Sequence, residues 1–324
     1  MRPFELHIAS SLPDALEYLS RHGDETAVLA GGTDLIIRIR SGREVPPRVL
    51  DISRLDELRV IRKEAVGGCA EAAGAGPTGL RGPEAAQVLR LGALVTHAAA
   101  VGSPETRAHA PLLAEACATI GSPQIRNLGT LGGNCITASR AGDSLPALLA
   151  LDAEMVLLSL DGERRVPMTE FLTGPRTTAR RRDELLGYIL VPVRTPGERS
   201  CYLKLTQRKA LAISLVSVAF RLKMDPEAPR RCLEAAVAFG SLAPMVIRAR
   251  AVEAAVAGRE LDEATIARAA EVALGEVSPR DDVRASAEYR RAMVQALVRR
   301  GLEQLAEPVD PGAVGGHGLV RVEP

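Results

Sequence analysis

Two Gly-Gly pairs constrain this chain more than any other feature. The first sits in Val28-Leu29-Ala30-Gly31-Gly32-Thr33-Asp34-Leu35, and the second in Gln124-Ile125-Arg126-Asn127-Leu128-Gly129-Thr130-Leu131-Gly132-Gly133-Asn134. Glycine has no Cβ, so a loop built on it can bring bare backbone N–H groups against a phosphate. One such turn is a weak signal. Two of them, each beside a hydroxyl or an amide (Thr33; Thr130 and Asn134), point to a ligand with two phosphates held between two pieces of backbone. Neither has the spacing of the G-x-G-x-x-G fingerprint or of the Walker lysine loop.

Composition narrows the alternatives. The 324 residues suffice for two domains with their own cores. The formal net charge is +1, which gives no reason to expect a polyanionic partner. The chain has no Trp and only four Phe and four Tyr, so a platform for stacking nucleic-acid bases is hard to build. The cysteines at 69, 117, 135, 201 and 232 form no C-x-x-C pair, which argues against a disulfide framework, a zinc site or an iron–sulfur cluster within the chain. No signal peptide and no apolar run of membrane-spanning length is seen, so the expectation is a cytoplasmic protein without membrane insertion.

Along the chain, the pattern predicts a strand over 4–8 and a helix capped by Ser10 or Ser11 that ends at Gly23. A strand over 27–30, a short helix or turn over 35–39 and a strand over 49–52 follow, which together suggest a small α+β lobe. Residues 64–86 read as an exposed Gly-rich insertion between two strands. Order resumes with a strand over 88–93, a helix capped by Thr96 and a helix over 112–120. The chain from Asn134 to Asp143 reads as irregular. A short helix over 145–151, a hairpin turning at Asp161-Gly162 and a strand over 184–191 complete the first half. A linker at Thr195-Pro196-Gly197 marks the domain boundary. Beyond it, strands over 202–206, 213–222 and 232–239 precede helices over 246–256, 265–274 and 285–305, a small sheet with helices on one face. The expected division is thus 1–196, 200–306 and a loosely held tail over 307–324.

Several residues are candidates for chemistry. Thr33 and Thr130 would give hydroxyls to phosphate oxygens, and Asn134 would hold the loop or a phosphate. Asp143 would accept hydrogen bonds from sugar or ring N–H groups of the ligand, or cap the helix that follows it. His97 is either a base or a helix-start histidine with a local partner. Lys204 is either a charge placed near the electron-rich edge of a reduced ring system or a solvated strand residue.

Taken together, the two glycine stretches resemble the two flavin-binding signatures of the molybdenum hydroxylase family. Asp143, Glu184-Leu185-Leu186, Tyr202-Leu203-Lys204-Leu205, Arg208 to Ile213 and Asp282 to Arg290 fall where that family has further motifs. The chain is similar to the family's FAD subunit, as in the carbon monoxide dehydrogenase medium chain and the xanthine dehydrogenase flavin domain. The resemblance implies a two-lobed α+β FAD domain of the vanillyl-alcohol-oxidase (PCMH) type. A C-terminal domain with a three-stranded sheet and helices would follow. It further implies noncovalent FAD, with Val28, Leu29, Ala30, Gly31, Gly32, Thr33, Asp34 and Leu35 together with Thr130, Leu131, Gly132, Gly133 and Asn134 wrapping the pyrophosphate and ribityl chain. Ile120, Leu186 and Lys204 would lie near the flavin ring, and Asp143 would hydrogen-bond the cofactor. The implied partners are a small subunit with [2Fe–2S] clusters and a large molybdopterin subunit, in a heterotrimer or its dimer, with no catalytic acid or base on this chain. A self-sufficient flavin oxidase or reductase of the same domain type is the alternative.

Overall fold

The computed structural model describes residues 3–65, 87–208 and 211–307. Most of the expected Gly-rich insertion and nearly all of the expected tail therefore lie outside the described residues. Residues 64 and 65 are not insertion but the end of a paired strand.

The first unit is a three-stranded parallel sheet, ordered β1 (Glu5–Ile8), β3 (Arg48–Asp51), β2 (Thr26–Leu29). Helix α1 (Leu12–His22) connects β1 to β2. The Ser11 hydroxyl caps it by accepting the Asp14 N–H at 3.3 Å, and Pro13 sits in its first turn, where a missing N–H costs nothing. Ala15 and Leu19 on one face of α1 pack with Leu50, Ile52, Leu55 and Leu58. Helix α2 (Leu35–Arg40) leaves the first glycine turn and leads to β3.

The second unit is an antiparallel sheet ordered β4 (Ile61–Ala65), β5 (Gln87–Gly92), β10 (Leu185–Pro192), β6 (Glu154–Ser159), β7 (Gly162–Pro167). Six helices lie between β5 and β6: α3 (His97–Gly102), α4 (Pro104–His109), α5 (Pro111–Ala118), α6 (Pro123–Leu128), α7 (Leu131–Thr137) and α8 (Ser144–Ala150). Proline opens α4, α5 and α6. Leu89, Leu91, Leu112, Leu113, Leu148, Leu157, Phe171 and Ile189 are all fully buried in the shared core. A helical turn, α9 (Met168–Phe171), and two short strands, β8 (Leu172–Gly174) and β9 (Thr177–Thr178), fill the span before β10.

The third unit is a second antiparallel sheet with β11 (Glu198–Leu205), β12 (Val216–Met224), β13 (Arg231–Gly240) and β14 (Ile247–Arg248) in that order, and β15 (Arg259–Glu260) also on β13. Helices α10 (Arg250–Val256), α11 (Glu263–Val272) and α12 (Ala287–Ala306) pack on it. Phe220 meets α12 at Gly301, where a Cβ would collide with the ring. The three expected strands are present: β11 and β13 are longer than expected, and β12 starts three residues later and ends two later. Two more, of two residues each, join them, and the helix expected from Val246 starts at Arg250 because Ile247 and Arg248 pair with β13. The larger departure is at the second glycine pair. The expected loop from Gly129 and the irregular stretch after Asn134 are corrected: Leu131 to Thr137 is α7, capped by Thr130, with Gly132, Gly133 and Asn134 inside it.

Candidate cofactor site

The first glycine turn follows β2 directly. Gly32 has φ +69°, a left-handed conformation that side chains with a Cβ strain to adopt. Among the described residues, the N–H groups of Gly31, Gly32, Thr33 and Asp34 have no protein acceptor. Four successive unpaired donors beside a left-handed glycine gather partial positive charge, which favours an anion. Gly31 to Asp34 are half-buried, so these donors remain within reach of a bound anion such as a cofactor pyrophosphate. Val28 and Ala30 pack on the first unit's core, which anchors the turn from behind.

The second pair works differently. Leu131 N–H donates to Val95 O and Gly132 N–H to Ala93 O, both at 2.9 Å. Gly133 N–H donates to the Thr130 hydroxyl and Asn134 N–H to Thr130 O, both at 3.0 Å. The opening N–H groups of α7 are therefore spent on protein acceptors. A Cβ on Gly132 would stand 2.6 Å from that of Ala93, so this glycine serves close packing against the end of β5. Thr130, Leu131 and Gly132 are buried, and Gly133 and Asn134 are half-buried. The Asn134 amide donates to the Ser144 hydroxyl at 2.7 Å and ties α7 to α8.

The two turns meet. A Cβ on Gly31 would fall on the Leu128 carbonyl at the end of α6, and the Thr137 hydroxyl on α7 donates to Asp34 at 3.4 Å. Leu35 begins α2 beside this junction, and Asp34 also pairs with Arg38 at 3.4 Å.

A second cluster centres on Asp143. It occupies the N-cap position of α8 yet caps nothing. Its Oδ2 pairs with Lys204 Nζ at 2.7 Å, and its Oδ1 accepts the Tyr202 hydroxyl at 3.0 Å and the Ser214 hydroxyl at 2.9 Å. Lys204 also donates to Thr119 O at 3.0 Å, and its side chain is only 5% exposed, so it is no solvated strand residue. Burial pushes the Asp143 carboxyl up, while Lys204 foremost, then Ser214 and Tyr202, pull it down. Burial likewise pushes the Tyr202 phenol well up. On α5, Glu115 accepts the Tyr202 backbone N–H at 3.0 Å, and burial raises its carboxyl to about 7.

Ile120 belongs to this neighbourhood: it follows Thr119, and its carbonyl accepts Arg126 Nη1 at 2.9 Å. Leu186 does not share those contacts; it is buried on β10 opposite Leu157. His97 is buried with Nδ1 3.7 Å from Cys117 Sγ, and desolvation lowers it to about 4, so it stands as a neutral packed group. Cys135 is also fully buried, with its thiol pushed up to about 12. Sequence reading missed Tyr202, Ser214, Thr119 and Glu115 as members of the cluster. One signal was available: Tyr202 and Lys204 are two apart on a strand and so share a face.

Comparison with known proteins agrees with this architecture. Residues 2–73 and 81–194 match the family model described as the FAD binding domain in molybdopterin dehydrogenase, and residues 201–305 match the CO dehydrogenase flavoprotein C-terminal domain. The nicotinate dehydrogenase FAD-subunit of Eubacterium barkeri is 30% identical over 96% of this chain and 99% of its own. The carbon monoxide dehydrogenase medium chain of Hydrogenophaga pseudoflava is 29% identical over 92% of this chain and 96% of its own. A solved structure of carbon monoxide dehydrogenase from that organism superposes with a TM-score of 0.83 at 30% identity, covering 94% of this chain and 98% of the other. The chain therefore belongs to the FAD-binding subunit family of the molybdopterin dehydrogenases, an oxidoreductase family, with the CO-dehydrogenase-type C-terminal domain.

Proposed function

We propose that this chain is the FAD-carrying electron-transfer subunit of a multisubunit molybdenum hydroxylase. In this reading a small subunit with [2Fe–2S] clusters delivers electrons that a large molybdopterin subunit has taken from the organic substrate. The three chains form a heterotrimer or its dimer in the cytoplasm. FAD, held noncovalently, accepts the electron pair and passes it to an external acceptor. The domain division proposed is a two-lobed PCMH-type FAD domain over 1–196 and a C-terminal domain over 200–306.

The observation that carries the reading is the row of four N–H groups at Gly31 to Asp34 that have no acceptor among the described residues. We assign the pyrophosphate to this turn, with Val28 to Leu35 as its wall. Thr130 to Asn134, the cap and opening turn of α7, complete the site in this reading, with Gly133 and Asn134 as its half-buried members. Ile120 and Lys204 border the ring system, Leu186 backs it, and Asp143 governs the Lys204 charge. Every described cysteine is buried, which favours a flavin without a thioether bond.

Two measurements test this. Acid precipitation of the flavin-loaded chain leaves FAD in the supernatant; flavin retained in the pellet contradicts noncovalent binding. Co-expression with iron–sulfur and molybdopterin subunits yields a stable complex whose flavin is reduced by the complex's organic substrate, while the isolated chain with the same substrate stays oxidised. Rapid flavin reduction in the isolated chain would instead identify a self-sufficient flavoenzyme.

A further inference from the structure

The Asp143 cluster joins residues that are far apart in the sequence and come from different units. Asp143 opens α8, Thr119 follows α5, Tyr202 and Lys204 share β11, and Ser214 precedes β12. A lysine ammonium has three N–H donors and no acceptor. Here one goes to Thr119 O and one to Asp143 Oδ2, which leaves the third without an acceptor among the described residues. Thr119 leads through Ile120 and Gly121 into α6, and the far end of α6 presses on the first glycine turn. The cation thus touches, through Thr119 O, the segment that leads to the proposed flavin site.

What keeps this cation in place is the carboxylate. A buried carboxylate tends to neutralise, and a neutral acid would no longer hold the ammonium. Two hydroxyl donors on Oδ1 oppose that tendency, because hydrogen bonds to the charged form favour it. Both donors are buried, Tyr202 at 3% exposure and Ser214 at 0%. We propose that Tyr202 and Ser214 are positioning residues, whose hydroxyls hold Asp143 as an ionised acceptor and so fix the Lys204 ammonium with one N–H directed to the bound flavin. The proposal rests on the reading that FAD binds beside Lys204. The remaining titratable groups around Asp143 come from α5 and α3. The Cys117 thiol is pushed up by burial and stays neutral, Glu115 faces the Tyr202 backbone, and His97 lies behind Cys117 and is neutral above about 4.

The test is the pH dependence of FAD affinity, measured by flavin fluorescence on the full chain from pH 6 to pH 8.5. Loss of the hydroxyls lets burial raise the Asp143 carboxyl further. The acid then protonates as pH falls, and affinity falls with it. The Tyr202→Phe/Ser214→Ala double variant is expected to bind FAD about tenfold more weakly at pH 6 than at pH 8.5, which corresponds to about one pKa unit. The wild type should vary by less than about twofold over the same range. Ser214→Thr alone keeps both hydroxyls and should keep the flat profile. The two single variants carry the same comparison at smaller amplitude if the double variant does not fold. A double or single variant with a lower melting temperature but a profile parallel to the wild type makes the hydroxyls structural only and overturns the proposal. Lys204→Met separates the two readings. Unchanged FAD affinity there removes Lys204 from the site, whereas lost affinity beside a flat double variant sinks the positioning role alone.

Discussion

At the residue scale, two glycine pairs that look alike in sequence do opposite work, and their substitutions should separate. Gly32 needs its positive φ, and the side chains that an added Cβ would meet first are those of Ile36 at 3.2 Å and Leu29 at 3.3 Å, both of which can give way. Gly32→Ala is therefore expected to cost about 1–2 kcal/mol of strain within the turn proposed to hold the cofactor pyrophosphate. It should weaken FAD binding while the apo chain stays folded. A Cβ on Gly132 would meet the Ala93 Cβ, oxygen and Cα at 2.6, 2.7 and 2.9 Å, and backbone does not yield as a side chain does. Gly132→Ala should cost about 1–3 kcal/mol of overpacking in the apo chain itself, and its flavin loss should follow its loss of fold. The check is urea unfolding of both apo variants by circular dichroism, beside FAD titration. An apo Gly132→Ala chain as stable as the wild type would return this glycine to direct phosphate contact.

At the scale of elements, the pattern of apolar residues and caps located α1, β3, β5, α5 and β10 within one or two residues, since each has a clear period, proline or capping hydroxyl. It failed at α7 because Gly-Gly-Asn is a poor helix sequence. Beside the Thr130 cap, the Val95 and Ala93 carbonyls supply acceptors to its opening N–H groups, and no local pattern reveals those two carbonyls. The strands β14 and β15, of two residues each, are too short to show a period at all. The meeting of the two glycine turns was legible, whereas the seam between α5 and β11 was not. There Glu115 accepts the Tyr202 N–H, and burial lifts its carboxyl from 4.5 to about 7, only partly offset by the hydrogen bond and by Arg194. A carboxyl whose folded value is raised binds more protons when folded. Its contribution is complete below pH 4.5 and is lost as pH rises through about 7. Glu115→Gln keeps an acceptor for the N–H without the charge. It should raise stability at pH 8 by about 1–3 kcal/mol and leave it nearly unchanged at pH 5. Urea midpoints at the two pH values check this, and an equal shift at both would show that the charge is not responsible.

At the scale of the whole molecule, the C-terminal sheet grips the flavin-binding half through polar groups as well as through packing. Arg140 pairs with Asp282 at 3.3 Å, and its carbonyl accepts the Ser241 N–H at 2.7 Å. Asp282 in turn holds Arg284 and the buried Arg290, at 2.7 and 2.9 Å. Such partners lie too far apart in sequence for any spacing rule, which is why the seam was invisible before the fold. At its other end Asp152 stands between two arginines of the C-terminal sheet. It binds Arg248 at 2.5 Å and also Arg221, and Arg248 continues to Leu149 O and Glu253. The two arginine side chains are 6% and 7% exposed, while Asp152 is 26% exposed. Removing the carboxylate strands Arg221 wholly and Arg248 in part, and an uncompensated buried charge is costly where an exposed one is not. Asp152 also holds φ +52°, so the substitution tested should not change backbone preference, and asparagine tolerates that region. Asp152→Asn should cost about 2–4 kcal/mol, towards the lower part of the range for broken buried pairs because the aspartate is partly solvated. Asp24→Asn removes the partner of the exposed Arg182 and should leave stability unchanged within error. In the flavin-loaded chain, FAD release and loss of circular dichroism should coincide along a urea titration for the wild type. For Asp152→Asn, a C-terminal transition that precedes flavin release would mean the two halves are coupled through this seam. A midpoint equal to that of Asp24→Asn would mean the halves are held by apolar packing alone.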